Sequence, residues 1–164
     1  MNYKDLFIEE YLSSLDQFNG DIEKIVKQCK TLFMHEWIEE KDMDFYKNNA
    51  FSMSIEDILR NMPQLDWYKI AYETLKRHTG ACCHLTAVLA GILSYHCVPN
   101  RIVIGSCLLT RGKYIGKHGI HYWNRVMLEN SLLNIDLCSD TPLFCEYELR
   151  ARNIICYKEI SIES

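Results

Sequence analysis

Proline and glycine are scarce here, at three and seven positions in a chain of 164 residues. That excludes collagen-like repeats and argues against a linker-rich or disordered chain. Positive charge is also in short supply: 18 Lys and Arg stand against 22 Asp and Glu, a formal net charge of −4. A broad nucleic-acid or anionic-membrane surface is therefore not expected; the balance excludes only a large electrostatic footprint, not a local basic cluster able to grip a small anion. Long apolar runs are missing too. The longest mostly apolar stretch, 85–93, is too short to cross a bilayer. The first ten residues lack a basic stretch followed by an apolar core, so no secretory signal is expected and the chain reads as made in the cytosol, signal-less export aside. No C-x-x-C pair, internal repeat or low-complexity tract occurs.

What the chain has in quantity is cysteine: Cys29, Cys82, Cys83, Cys97, Cys107, Cys138, Cys145 and Cys156. In a small exported protein these would read as a disulfide framework, but the length and the missing signal point elsewhere. Most lie in apolar runs, as Cys107 does within 102–108, and read as small buried hydrophobes. With 48% hydrophobic residues the chain can build one domain with its own core.

The patterning divides the chain into a helical front, 1–78, and a strand-rich back, 79–164. Apolar Ile22, Ile25, Val26, Cys29, Leu32, Phe33 and Trp37 recur at helical spacing after Asp21, predicting a capped helix over 21–40. A shorter helix is expected over 3–15. Ser54-Ile55-Glu56-Asp57 is a capping-box variant opening a helix that ends near Pro63, and Asp66 caps another over 67–77. After a turn at 78–80, Leu85, Val88, Leu89, Ile92 and Leu93 mark one stripe of a buried helix with Cys82 at its start. Pro99 stops it. Strands are expected over 101–109, 120–128, 132–137 and 153–162, with a mobile loop over 110–119 carrying three glycines and three basic residues. The fold class is α+β, with helices first and then an antiparallel sheet against the central helix.

This layout suits one chemistry. A thiolate is the nucleophilic form of cysteine, and the unpaired N–H groups at a helix start favour it. Cys82 and Cys83 are the cysteines so placed, and the same N–H groups suit an oxyanion. His121 lies in a predicted strand, two positions before Trp123. Asp136 interrupts the apolar run Leu133-Asn134-Ile135-Asp136-Leu137, where a carboxylate is costly without a partner. Pairing of the two strands would bring Asp136 beside His121, fixing the imidazole tautomer. Singly each residue has a structural explanation; together and in order they point to a Cys-His-Asp triad.

These residues resemble a known superfamily. Gly80-Ala81-Cys82, a helix, then Val98-Pro99-Asn100-Arg101-Ile102-Val103 resembles the transglutaminase-like pattern G-x-C … G-I-P-A-R-Y-V. His121-Tyr122-Trp123-Asn124-Arg125-Val126 resembles its H-A-W-x-E-V strand, and Asn134-Ile135-Asp136 its V-x-V-D strand. The match covers about 80–136, a third of the chain. It implies a papain-like α+β fold with Cys82 as nucleophile, His121 as base and acid and Asp136 as orienter. The register selects Cys82 over Cys83. The implied second oxyanion donor lies upstream, with Gln64, Trp67 and Tyr68 as candidates beside the Cys82 and Cys83 backbone. Tyr122 and Trp123 are candidate substrate contacts. Departures from the pattern are Cys97 for glycine, Arg125 for an acidic residue, Leu132 for tryptophan and Leu137 for proline.

The resulting expectation is an amide- or acyl-processing thiol hydrolase acting on a protein or peptide, a peptidase or glutamine deamidase needing no cofactor or metal. The alternatives are a transglutaminase with an amine acceptor, a lasso-type leader peptidase (which shares the run ending Val103-Ile104-Gly105 but has a shorter following loop and a different partner module), and a silent binding domain. A zinc site is the competing class: His118 and His121 have H-x-x-H spacing, but Cys82, Cys83 and His84 point about 100° apart on a helix and make no ligand trio.

Overall fold

Short polar side chains start the helices of the front. Asn2 accepts from the Asp5 N–H at the head of α1 (Tyr3–Ser14), and Asp21 from Lys24 at the head of α2 (Ile22–Leu32). Ser54 accepts from Asp57 at α3 (Ile55–Asn61), and Asp66 from Lys69 at α4 (Trp67–Arg77). The computed structural model describes residues 2–36, 54–62, 64–108 and 115–163. It is an α+β architecture in which these helices and α5 (Cys82–Tyr95) accompany an antiparallel five-stranded sheet.

The helix predicted over 21–40 stops early. Phe33 leaves the helical region, and Met34–His35 form β1, paired in parallel with β2 (Thr79–Gly80). Two of the three residues of the turn predicted over 78–80 are thus in a strand. His78 closes α4 in the left-handed conformation, φ 66°, and the chain straightens at once. Trp37 and the rest of the predicted helix to 40 lie outside the described residues, as do Pro63, Leu109 at the end of the strand predicted over 101–109, and residues 110–114 of the predicted loop.

The large sheet runs β6 (Leu143–Cys145), β5 (Leu132–Ile135), β4 (His118–Met127), β3 (Asn100–Leu108), β7 (Ile154–Ile160). Strand β6 was not anticipated; three residues show no usable alternation. Strand β5 ends at Ile135, short of the predicted 137. Its pairing with β4 covers only Asn124 to Met127, so the first half of β4 pairs on one side alone, with β3.

Alternation along β4 divides the packing. Tyr122 and Val126 join the main core under α5, and Asn124 donates from Nδ2 to the Thr86 carbonyl of that helix at 3.0 Å. Trp123 faces the other way, into a smaller cluster with Val103, Phe144 and Ile154. Helix α5 is buried on all sides from Cys83 to Leu93 rather than along one stripe, as suits an apolar helix at the centre of a domain. A Cβ on Gly91 would stand 2.5 Å from the Phe7 ring, so glycine is what lets α1 lie against α5.

Candidate active site

The start of α5 is shaped by glycine and histidine. A Cβ on Gly80 would lie 2.4 Å from that of His84. That close approach lets the His84 ring fold back and accept the Ala81 N–H at Nδ1, 3.0 Å away. Ala81 has no side chain with which to cap, so His84 provides the cap from within the helix. The first in-helix bond runs from Leu85 N–H to the Ala81 carbonyl. The N–H groups of Cys82, Cys83 and His84 therefore precede the helical ladder and form the positive end of α5. Cys82 stands at its first position, half-buried, and Cys83 beside it is buried.

His121 sits on the half of β4 that runs past β5. Asp136 is the first residue after β5, and its position off the strand allows its carboxylate to reach back. Oδ2 lies 2.7 Å from His121 Nε2, and Oδ1 accepts the Cys138 N–H at 3.0 Å. The Asp136 backbone is held on both sides, its N–H by the Pro142 carbonyl and its carbonyl by the Ser139 N–H. The His121 ring stacks on Trp123 at 5.9 Å between centroids.

Burial alone would push the His121 imidazolium down. The hydrogen bonds with Asp136 and Cys82, and the charges of both, outweigh it and hold His121 well above the usual imidazole range. With Nε2 held by Asp136, Nδ1 is the nitrogen left for the Cys82 thiol. Burial likewise works against the Asp136 carboxylate, but the hydrogen bond and charge of His121, the Cys138 N–H and the charge of Arg152 leave it below its ordinary range. The three sequence-predicted residues thus meet, from a helix start, a strand and a loop. Around them, burial raises the Cys107 and Cys138 thiols. It also lowers His35, helped by the charge of His121.

The other candidates fall elsewhere. Trp67 is buried at the start of α4 with its ring 5.8 Å from that of Tyr122. Gln64 is exposed beside it, and the Tyr68 hydroxyl donates to Glu163. Tyr122 and Trp123 are both buried, and the Trp123 indole donates to Asn134 Oδ1 at 2.9 Å. Two positions singled out in the sequence have physical reasons in the fold. Cys97 has φ 57°, the left-handed conformation that glycine adopts freely. Arg125 is buried between carboxylates from other segments, 2.8 Å from Glu146 and in contact with Glu159, so a reversed charge is matched across the sheet.

Sequence reasoning missed Lys30 and His35. The Lys30 ammonium donates to the Leu137 carbonyl at 2.9 Å, and the β1–β2 pairing sets His35 at the register of Gly80. No spacing rule links residues so far apart, and the helix predicted through His35 obscured its place in the strand. No protein-family model matches the chain, and no curated protein matches it in sequence. The chemistry of the site is carried by its geometry.

Proposed function

We propose that the chain is a papain-like, transglutaminase-like thiol hydrolase that cleaves an amide bond in a protein or peptide through Cys82, His121 and Asp136. The observation that carries this reading is the 2.7 Å hydrogen bond of His121 Nε2 with Asp136, with Cys82 at the N-terminus of α5 acting on the same imidazole. His121 charged at neutral pH is the partner a cysteine thiolate needs. In this reading the Cys82 sulfur attacks the carbonyl carbon, and the electron pair displaced onto oxygen is received by N–H groups at the start of α5. His121 passes its proton to the departing amine as the C–N bond breaks, leaving a thioester and a neutral imidazole. That imidazole takes a proton from water, the hydroxyl oxygen attacks the thioester, and Cys82 leaves as thiolate beside the restored imidazolium. Asp136 holds the ring in one tautomer throughout and keeps its charge.

Hydrolysis is preferred over amine transfer because water needs no second binding site. The test is a panel of glutamine-containing peptides, followed for ammonia release and for chain cleavage, against Cys82→Ala. Ammonia alone identifies a deamidase and new termini a peptidase, whereas isopeptide formation with an added amine would move the assignment to a transglutaminase. Site-resolved alkylation comes first: Cys82 should react with iodoacetamide at mildly acidic pH far faster than the other seven thiols. Uniform slow labelling would favour a silent domain of the same fold.

A further inference from the structure

The loop that carries Asp136 is fastened from two sides. Arg152 donates to the Thr141 carbonyl at 2.9 Å and the Ser139 hydroxyl at 3.3 Å, closing its far end. At the near end Lys30, in the last turn of α2, reaches over from the helical front to the Leu137 carbonyl. Leu137 lies between the two residues that define the carboxylate geometry: Asp136, whose Oδ2 meets His121, and Cys138, whose N–H holds Oδ1. A charge-assisted hydrogen bond to that peptide fixes the plane from which both contacts extend.

We propose that Lys30 is a positioning residue of the site, holding the Asp136 carboxylate against His121 through a charge-assisted hydrogen bond to the Leu137 carbonyl. The inference rests on the Cys82–His121–Asp136 reading and extends it to the front of the molecule. The charged and titratable groups around the pair come from every neighbouring element: Cys82 and Cys83 on α5, His35 on β1, Cys107 on β3, His121 on β4, Asp136, Cys138 and Arg152 from the back, and Lys30 from α2. Lys30 and Arg152 are the fixed cations in that set. Removing Lys30 takes away a tether and a charge, and each can be tested alone. Methionine keeps the stem and loses both. Glutamine keeps a donor without charge. Arginine keeps donor and charge.

The experiment measures the rate of Cys82 alkylation by iodoacetamide, resolved by peptide mass spectrometry, over about pH 5 to 9 in the full-length chain. Lys30→Met, Lys30→Gln, Lys30→Arg and His121→Asn are compared with the parent, and each is melted in parallel. In Lys30→Met the half-point of the acid limb is expected to move up by about half to one pH unit, which is a three- to tenfold slower reaction near pH 6. Lys30→Arg should restore the profile, and Lys30→Gln should fall between. A lowered melting temperature with an unmoved profile would make Lys30 a structural tether only and overturn the proposal. If Lys30→Met does not fold, the Gln–Arg difference decides: coincident profiles equal to the parent's also overturn it. His121→Asn separates the two levels. Should its profile superpose on the parent's, the triad reading itself fails. Should it differ while the Lys30 variants match the parent, only the role of Lys30 is lost.

Discussion

The His121–Asp136 contact joins two side chains that are nearly buried, at 12% and 8% exposed, and its contribution to stability follows from the direction of each shift. His121 is raised above its unfolded value, so its share is complete below about pH 6.5 and fades as pH rises through the folded value. Asp136 is depressed, so its share is present above about pH 4 and is lost as pH falls through the folded value. The pair is at full strength between those limits. Asp136→Asn should therefore cost about 3 kcal/mol at pH 6, the lower end for breaking a buried ion pair, and less at pH 9, because the share contributed by His121 fades above its unfolded value. Urea denaturation at the two pH values measures the difference, and an equal penalty at both would refute the charged pair. Cys97 offers a gain instead. It is exposed with φ 57°, so Cys97→Gly relieves left-handed strain of about 1–2 kcal/mol against a smaller entropic loss. A rise of up to about 1 kcal/mol in unfolding free energy is expected from the same urea titrations. At this scale Cys82, His121 and Asp136 were legible because each violates its local surroundings, whereas Lys30 looks like any exposed lysine at a helix end until the fold brings Leu137 to it.

Among the elements, β3 and β7 are joined with least tolerance. Their register slips between Ile104 and Gly105, and a Cβ on Gly105 would stand 2.0 Å from the Ile155 carbonyl oxygen and 2.8 Å from the Trp123 ring. Backbone cannot yield as a flexible side chain does. Gly105→Ala should separate β7 from β3 and press on the ring that stacks against His121, costing at least about 3 kcal/mol. Thermal melting reads the loss, and slower Cys82 alkylation reads the disturbance of His121; a variant as stable as the parent would refute the close approach of β7 to Gly105. The elements themselves differed in how far sequence revealed them. Helix α4 matched its predicted 67–77 because Asp66 starts it and His78, turning left-handed, ends it. Helix α2 was over-extended because Phe33 keeps the apolar phase while its backbone has already become extended. Strand β5 was over-extended for a related reason: Asp136 and Leu137 continue the apolar alternation, but Asp136 turns its N–H to the Pro142 carbonyl.

Front and back share one interior. A single cluster of buried side chains gathers Phe7 and Tyr11 from α1, Ile25, Val26 and Cys29 from α2 with Phe33 at its end, the length of α5, and Ile102, Ile104, Tyr122, Val126 and Ile135 from the sheet. The six front residues named are each at most 7% exposed. At about 1.5–3 kcal/mol for each large side chain buried, they contribute roughly 10 kcal/mol, as much as the net stability of a typical domain. The division between a helical front and a strand-rich back is therefore one of sequence pattern, with no corresponding break in the core. A chain beginning at residue 34 should show no cooperative thermal transition and should bind a hydrophobic dye, because the Gly91 face of α5 and the apolar side of α4 lose their cover. The full chain should unfold in one step, with circular dichroism and tryptophan fluorescence giving coincident curves. Removing residues 1–33 also takes away Lys30, which holds the Leu137 carbonyl beside Asp136. The shortened chain should therefore lose selective Cys82 alkylation even where some structure persists. A sharp melt with Cys82 still reacting fastest would show the sheet and α5 to be self-sufficient and refute the shared core.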